Sequence, residues 1–147
     1  MTARDRTVGG GPLPDFLISP GTAVTRPPKA LRILVAEDDA MIGVLLADLL
    51  SGMGHDCKVA ASEAAAVIDA IRYGPDLMIV DAQLGSGSGI AAVDAVLESG
   101  PMPHVFVTGD ARRVSELRPL AVVLQKPFRE ADLARAIRQA FGNTTAP

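Results

Sequence analysis

At 147 residues, 48% hydrophobic and 21% charged, the chain has the length and apolar content of a single compact domain. A net charge of -3 leaves no basic excess for nucleic-acid binding. The one cysteine, Cys57, cannot close an internal disulfide, and no apolar run approaches the ~20 residues that cross a bilayer, so a cytoplasmic protein with no membrane contact is expected.

Residues 1–29 hold five of the eleven prolines and the run Gly9-Gly10-Gly11, with Phe16-Leu17-Ile18 as their one apolar cluster. Ordering such a stretch costs about 1–2 kcal/mol per residue with little burial to offset it, so a flexible tail is expected. From residue 30 to 142 short apolar runs alternate with helix-period segments. That alternation signals a parallel sheet covered on both faces. The first run is Ile33–Ala36, followed by a helix with Ile42, Leu45, Leu46, Leu49 and Met53 on its core face and Ala40, Gly43 and Ala47 opposite. The second run, Cys57–Ala60, precedes a helix whose stripe is Ala64, Val67, Ile68 and Ile71. The third, Leu77–Val80, precedes one with Ile90, Val93, Val96 and Leu97. After Val105–Val107, only Ala111 to Arg118 are available before Pro119, so the fourth helix is short or irregular. The fifth run, Ala121–Leu124, precedes a helix lined by Leu133, Ala136, Ile137 and Phe141 and ending at Gly142, with 143–147 as a tail. Gly54, Gly74 and Gly100 fall where the first three helices should stop. The expectation is an α/β, doubly wound (βα)5 domain with a five-stranded parallel sheet.

In such sheets the site lies beyond the carboxyl ends of the strands. There the sequence places Glu37-Asp38-Asp39, then Asp81, Thr108 and Gln125-Lys126-Pro127. His55 and His104 precede their strands and belong at the opposite edge, with no part in chemistry. Asp39 reads as the N-cap of the first helix. Single acidic residues after strands are often only caps; the ordered set is what points to a site. Two unit charges 4 Å apart interact by about 4 kcal/mol at an effective dielectric of 20, so Glu37, Asp38 and Asp81 together call for a counter-ion. Oxygen donors without Cys or His select a hard cation such as Mg²⁺. Three carboxylates, one Mg²⁺ and Lys126 sum to formal neutrality, a site able to receive a phosphoryl group. Asp81, alone after the central strand, is the nucleophile candidate, with Thr108 and Lys126 placed to hold phosphoryl oxygens.

The segments Ile33–Asp39, Ile79-Val80-Asp81, Val107-Thr108-Gly109 and Gln125–Phe128 resemble the receiver domain of bacterial two-component response regulators over about residues 31–142. The resemblance implies a flavodoxin-like sheet of order 2-1-3-4-5. It also implies phosphorylation of Asp81 by a phosphohistidine on a sensor histidine kinase or histidine phosphotransfer protein. Asp38, Asp81 and the main-chain carbonyl of Gln83 would bind Mg²⁺, with Glu37 acting mostly through water, while Thr108 and Lys126 would sense the phosphoryl group. Gln83 and Asp110 would flank the path of the water that attacks it.

The chain departs from the family pattern at three places. Val123 stands where an aromatic residue usually precedes the lysine by three positions, the Thr108–Lys126 stretch is short, and Gly85 replaces a common loop proline within Gly85–Gly89. That loop is expected to be more mobile than usual. Pro103–Gly109 partly matches a single-domain subgroup named for a Phe-Ala-Thr-Gly motif, with Val107 in place of the Ala. With only five residues after Gly142, the expectation is a stand-alone phosphorelay switch, shuttle or sink, monomeric or weakly dimeric, whose output is contact with a downstream protein. Beyond its own phosphorylation and dephosphorylation it would be no enzyme. Val123, the short fourth segment and the glycine loop favour the alternative, a binding module indifferent to phosphate. An aspartate-dependent phosphatase is disfavoured, because Gln83 stands where such enzymes carry a second Asp.

Overall fold

The computed structural model describes residues 30–145, with side chains to Gly142. The expected tail at 1–29 and the last two residues of the expected tail at 143–147 lie outside the described residues. Five strands form one parallel sheet: β1 (Arg32–Ala36), β2 (Asp56–Ala60), β3 (Leu77–Asp81), β6 (His104–Thr108) and β7 (Val122–Gln125), in the order β2-β1-β3-β6-β7. Numbered among the sheet strands alone this is 2-1-3-4-5, as expected. A two-residue hairpin, β4 (Gln83–Leu84) and β5 (Gly87–Ser88), follows β3. The helices are α1 (Ala40–Gly52), α2 (Glu63–Arg72), α3 (Gly89–Leu97), α4 (Ala111–Leu117) and α5 (Glu130–Thr145).

The alternation of side chains along each strand divides the core in two. Ile33, Val35, Leu77, Ile79, Val105, Val107, Val122 and Leu124 pack against α1 and α5. Leu34, Ala36, Met78, Val80 and Phe106 pack against α2, α3 and Val114 of α4. Four strand interiors are therefore continuously apolar because both sheet faces are covered. β2 is the exception: as an edge strand it carries exposed Asp56, Lys58 and Val59.

Two helix faces differ from the expected stripes. On α1 the buried residues are Gly43, Leu46 and Leu50, whereas Ile42 is 38% and Leu45 61% exposed. The helix is apolar almost all round, so its periodicity does not select a face. Gly43 decides it, because a Cβ there would lie 3.0 Å from Val59 Cγ1, and the missing side chain lets α1 settle onto β2. Of the expected outward set Ala40, Gly43 and Ala47, Gly43 is thereby corrected to the buried face, while Ala40 is exposed and Ala47 half-buried; Met41, Val44 and Leu45 also point out. On α2 the buried residues are Ala66 and Ala70, while Ile68 and Ile71 are exposed, since the small alanines permit close approach to the sheet and α3. α3 follows expectation at Val93 and Val96, with Leu97 at the surface.

α4 has seven residues, the short helix expected. α5 buries Leu133, Ala136 and Ile137 and continues through Gly142 to Thr145 rather than stopping there. Gly54, Gly74 and Gly100 all have positive φ, the conformation glycine adopts at helix ends at least cost. The glycine-rich segment after β3 is folded as the β4–β5 hairpin with Leu84 buried, a more defined shape than a loose loop.

Candidate functional site

The carboxyl ends of β1, β3, β6 and β7 meet at one rim and carry the residues singled out above. Glu37 follows β1 and is 3% exposed; its Oε2 accepts the Asp39 N–H at 3.0 Å. Asp39 turns away to cap α1, its Oδ1 accepting the N–H groups of Met41 and Ile42 at 3.0 and 3.1 Å. Asp38 is exposed. Asp81 ends β3, and its two oxygens are used differently: Oδ1 accepts the Gln83 N–H at 2.9 Å, and Oδ2 accepts Lys126 Nζ at 2.8 Å. One carboxylate oxygen each from Glu37, Asp38 and Asp81 lie within 4.8 Å of one another.

Burial and charge together set the protonation of this cluster. Burial, opposed by the Asp39 N–H and reinforced by Asp81, pushes the Glu37 carboxyl above its ordinary range. Burial alone would pull Lys126 down, but its bond to Asp81 and the charges of Asp81, Glu37 and Asp38 outweigh that and hold it up. Lys126 therefore remains a cation, with Glu37 Oε1 at 3.9 Å as its second partner. It precedes Pro127 through a cis peptide bond.

Thr108 ends β6 and is 8% exposed; its Oγ1 accepts the N–H of Asp110, and Asp110 in turn caps α4 through the Arg113 N–H at 3.2 Å. Gln125 was noted in the sequence only as the neighbour of Lys126. In the structure its Oε1 accepts the Ala111 N–H at 2.8 Å and its Nε2 donates to Gly109 O at 2.8 Å, tying the β6–α4 turn to β7. Beside Thr108 a cavity of about 660 Å³ opens between the hairpin and α4, lined by Gln83, Ser86, Asp110 and Arg113 among others. Gln83 and Asp110, expected to flank a water path, thus share one cavity beside Thr108.

Glycines pack the hairpin under the site. Gly85, at φ +58, lies where a Cβ would be 3.8 Å from Asp38 Oδ2, and a Cβ on Gly89 would be 2.0 Å from Asp81 O. The sequence marks these glycines only as a loop; their closeness to the Asp38 carboxylate and the Asp81 main-chain carbonyl is set by the fold. The histidines stand apart, as expected. His55 Nδ1 accepts the Leu31 N–H at 3.1 Å before β1, and His104 Nδ1 lies 2.8 Å from Met102 O.

The doubly wound parallel sheet thus carries an acidic triad, a threonine and a lysine at its carboxyl edge, the arrangement of a receiver-type α/β domain. The chain belongs to the response regulator receiver domain family of two-component signalling, whose family model matches residues 33–138. It is 34% identical over 117 residues to the phyllosphere-induced regulator PhyR of Methylorubrum extorquens, covering 76% of this chain and 44% of that protein. It is 32% identical over 114 residues to the transcriptional regulatory protein PdtaR of Mycobacterium tuberculosis, covering 74% and 56%. The chain spans about half the length of these curated relatives. Among solved structures it resembles the receiver domain of the Erythrobacter litoralis PhyR response regulator, with TM-score 0.71 and 31% identity over 81% of this chain and 95% of that one.

Proposed function

We propose that the protein accepts a phosphoryl group on Asp81 from a phosphohistidine partner, in a Mg²⁺-dependent reaction, and acts as a phosphorelay switch, shuttle or sink. The observation that carries this reading is the convergence on Asp81: Lys126 Nζ at 2.8 Å, the Gln83 N–H at 2.9 Å, and two further carboxylates within 4.8 Å. The donor set fits the cation, since all three side chains offer hard oxygens and no Cys or His. Asp38, Asp81 and the main-chain carbonyl of Gln83 would hold it, with Glu37 acting through water. Bound there, Mg²⁺ supplies charge neutralisation for the incoming phosphoryl oxygens.

In the transfer an Asp81 carboxylate oxygen forms the new bond to phosphorus as the P–N bond of the phosphohistidine breaks, and the imidazole leaves carrying a proton. Lys126 and the Thr108 hydroxyl then hold phosphoryl oxygens. Moving the Thr108 hydroxyl toward Asp81 gives up its bond from the Asp110 N–H, so the cap of α4 registers the modification. This route needs no aromatic residue at Val123, which packs beside Phe106 in the core.

The histidine-bearing partner, a sensor kinase or phosphotransfer protein, has a surface to meet. Met41, Val44 and Leu45 on α1 are 72%, 57% and 61% exposed beside the site. Output would run through contact with a downstream protein, and a cytoplasmic location is part of the same proposal. Among the described residues no helix is long and apolar enough to cross a membrane. Intact mass after incubation with acetyl phosphate tests the reading. One phosphoryl unit should be gained in Mg²⁺ and none in EDTA or in Asp81→Asn. Partner affinity unaffected by any of these treatments would favour the phosphate-indifferent binding module.

A further inference from the structure

Glu63, the first residue of α2, lies 25 positions before the backbone it contacts. Its Oε1 accepts the Ser88 N–H at 2.8 Å. The contact is close-packed as well as polar, because a Cβ on Gly87 would sit 2.9 Å from Glu63 Oε1 and 3.1 Å from its Cβ. An acidic residue in a first helical turn ordinarily favours its own helix dipole, and for that it needs no distant partner. Here the carboxylate reaches the hairpin instead.

What Ser88 carries gives this bond its consequence. Ser88 pairs with Gln83 across the hairpin and caps α3, its Oγ accepting the Ala91 N–H at 3.1 Å. Gln83 in turn donates its N–H to Asp81 Oδ1, and its Nε2 fixes the hairpin turn through Gly85 O at 3.0 Å. Gly85 lies against Asp38. One side chain thus braces, at the far side of the hairpin, the backbone that orients the Asp81 carboxylate and borders Asp38.

We propose that Glu63 is a positioning residue for the acidic site: by holding the Ser88 N–H it fixes the β4–β5 hairpin, and through Gln83 the geometry in which Asp81 meets its cation and its phosphodonor. This rests on the function proposed above for Asp81, but the cation arm of the test does not require phosphorylation. The bond needs a hydrogen-bond acceptor and not a charge, so Glu63→Gln should keep it and Glu63→Ala should lose it.

The experiment measures Mg²⁺ affinity of the full chain by calorimetry, and the rate of phosphorylation by acetyl phosphate at saturating Mg²⁺. Supporting groups around metal ligands typically alter affinity 10–100-fold, so Glu63→Ala should weaken Mg²⁺ by about tenfold and slow phosphorylation, with Glu63→Gln near wild type. Gly87→Ala, which forces the Glu63 carboxylate aside while leaving its charge in place, should weaken Mg²⁺ like Glu63→Ala. It keeps the test decisive if Glu63→Ala does not fold. Equal losses in Gln and Ala would show a charge or helix effect and overturn the proposal, as would unchanged Mg²⁺ affinity in Ala and in Gly87→Ala. Mg²⁺ affinities that follow this pattern while wild type takes no phosphoryl group would uphold the bracing role and refute the phosphoacceptor reading alone.

Discussion

Replacing Asp38 by asparagine should stabilise the metal-free protein. Asp38 presents an oxygen within 4.8 Å of both Glu37 and Asp81, and the opposite charge of Lys126 offsets part of their repulsion. At an effective dielectric of 20, each such pair repels by roughly 3.5 kcal/mol before screening. Asp38 is exposed, which brings each repulsion down toward about 0.5 kcal/mol, and the similar attraction to Lys126 leaves a net of about 0.5 kcal/mol. For a domain of this size that is a rise of about 2 °C in Tm. Mg²⁺ should reverse the order. Binding at one hundred times Kd adds about 2.7 kcal/mol, and a tenfold loss of affinity on removing a ligand takes back about 1.4 kcal/mol of it. Thermal unfolding followed by circular dichroism, in EDTA and in millimolar Mg²⁺, reads both effects. Asp38→Asn should melt above wild type in EDTA and at or below it in Mg²⁺. A lower Tm in EDTA, or equal Mg²⁺ shifts in both proteins, would refute the charge argument.

Gly89→Ala places a Cβ 2.0 Å from Asp81 O and 2.6 Å from Val80 Cγ1, so urea unfolding should show a loss of about 3 kcal/mol, and a change below about 0.5 kcal/mol would contradict that packing. Burial pulls the His55 imidazole below its ordinary value, and its Nδ1 must stay unprotonated to accept the Leu31 N–H. The unfolded state therefore takes up the proton first, so the contribution of His55 is fully present above about pH 6.5 and lost as pH falls below it. Stability against pH should slope in wild type and flatten there in His55→Gln; parallel curves would show that His55 is not responsible. Leu45→Asp, on the exposed face of α1, should slow phosphotransfer from a histidine donor by about tenfold and leave acetyl phosphate labelling unchanged. Equal rates with the histidine donor would move the docking surface elsewhere.

The sheet was legible because four of its strands are short continuous apolar runs, which, separated by helices, call for a parallel sheet covered on both faces. The rim residues were legible for a related reason: topology alone brings strand ends together, so Glu37, Asp38, Asp81, Thr108 and Lys126 needed no side-chain detail. Helix orientation was not. In α1 nearly every position is apolar, and a 3.6-residue period cannot choose between Leu45 and Leu50; the choice rests on Gly43 fitting against Val59 of β2, a contact between distant segments. α2 shows the same limit, since two alanines win the core over two isoleucines by fitting closer. Glu63 and Gln125 were missed because each acts on backbone far from it in sequence, and neither residue type is distinctive at its position. The signal that could have found Glu63 is the glycine run itself, whose small residues mark where another side chain comes close.

Locating the acceptor tests the central claim most directly. After phosphorylation in Mg²⁺, borohydride converts an aspartyl phosphate to homoserine, and peptide mass spectrometry then finds its position. The account requires homoserine at 81 and nowhere else. Homoserine at 38 or 39, or none in a sample shown to bind Mg²⁺ and to have been exposed to its donor, would contradict it.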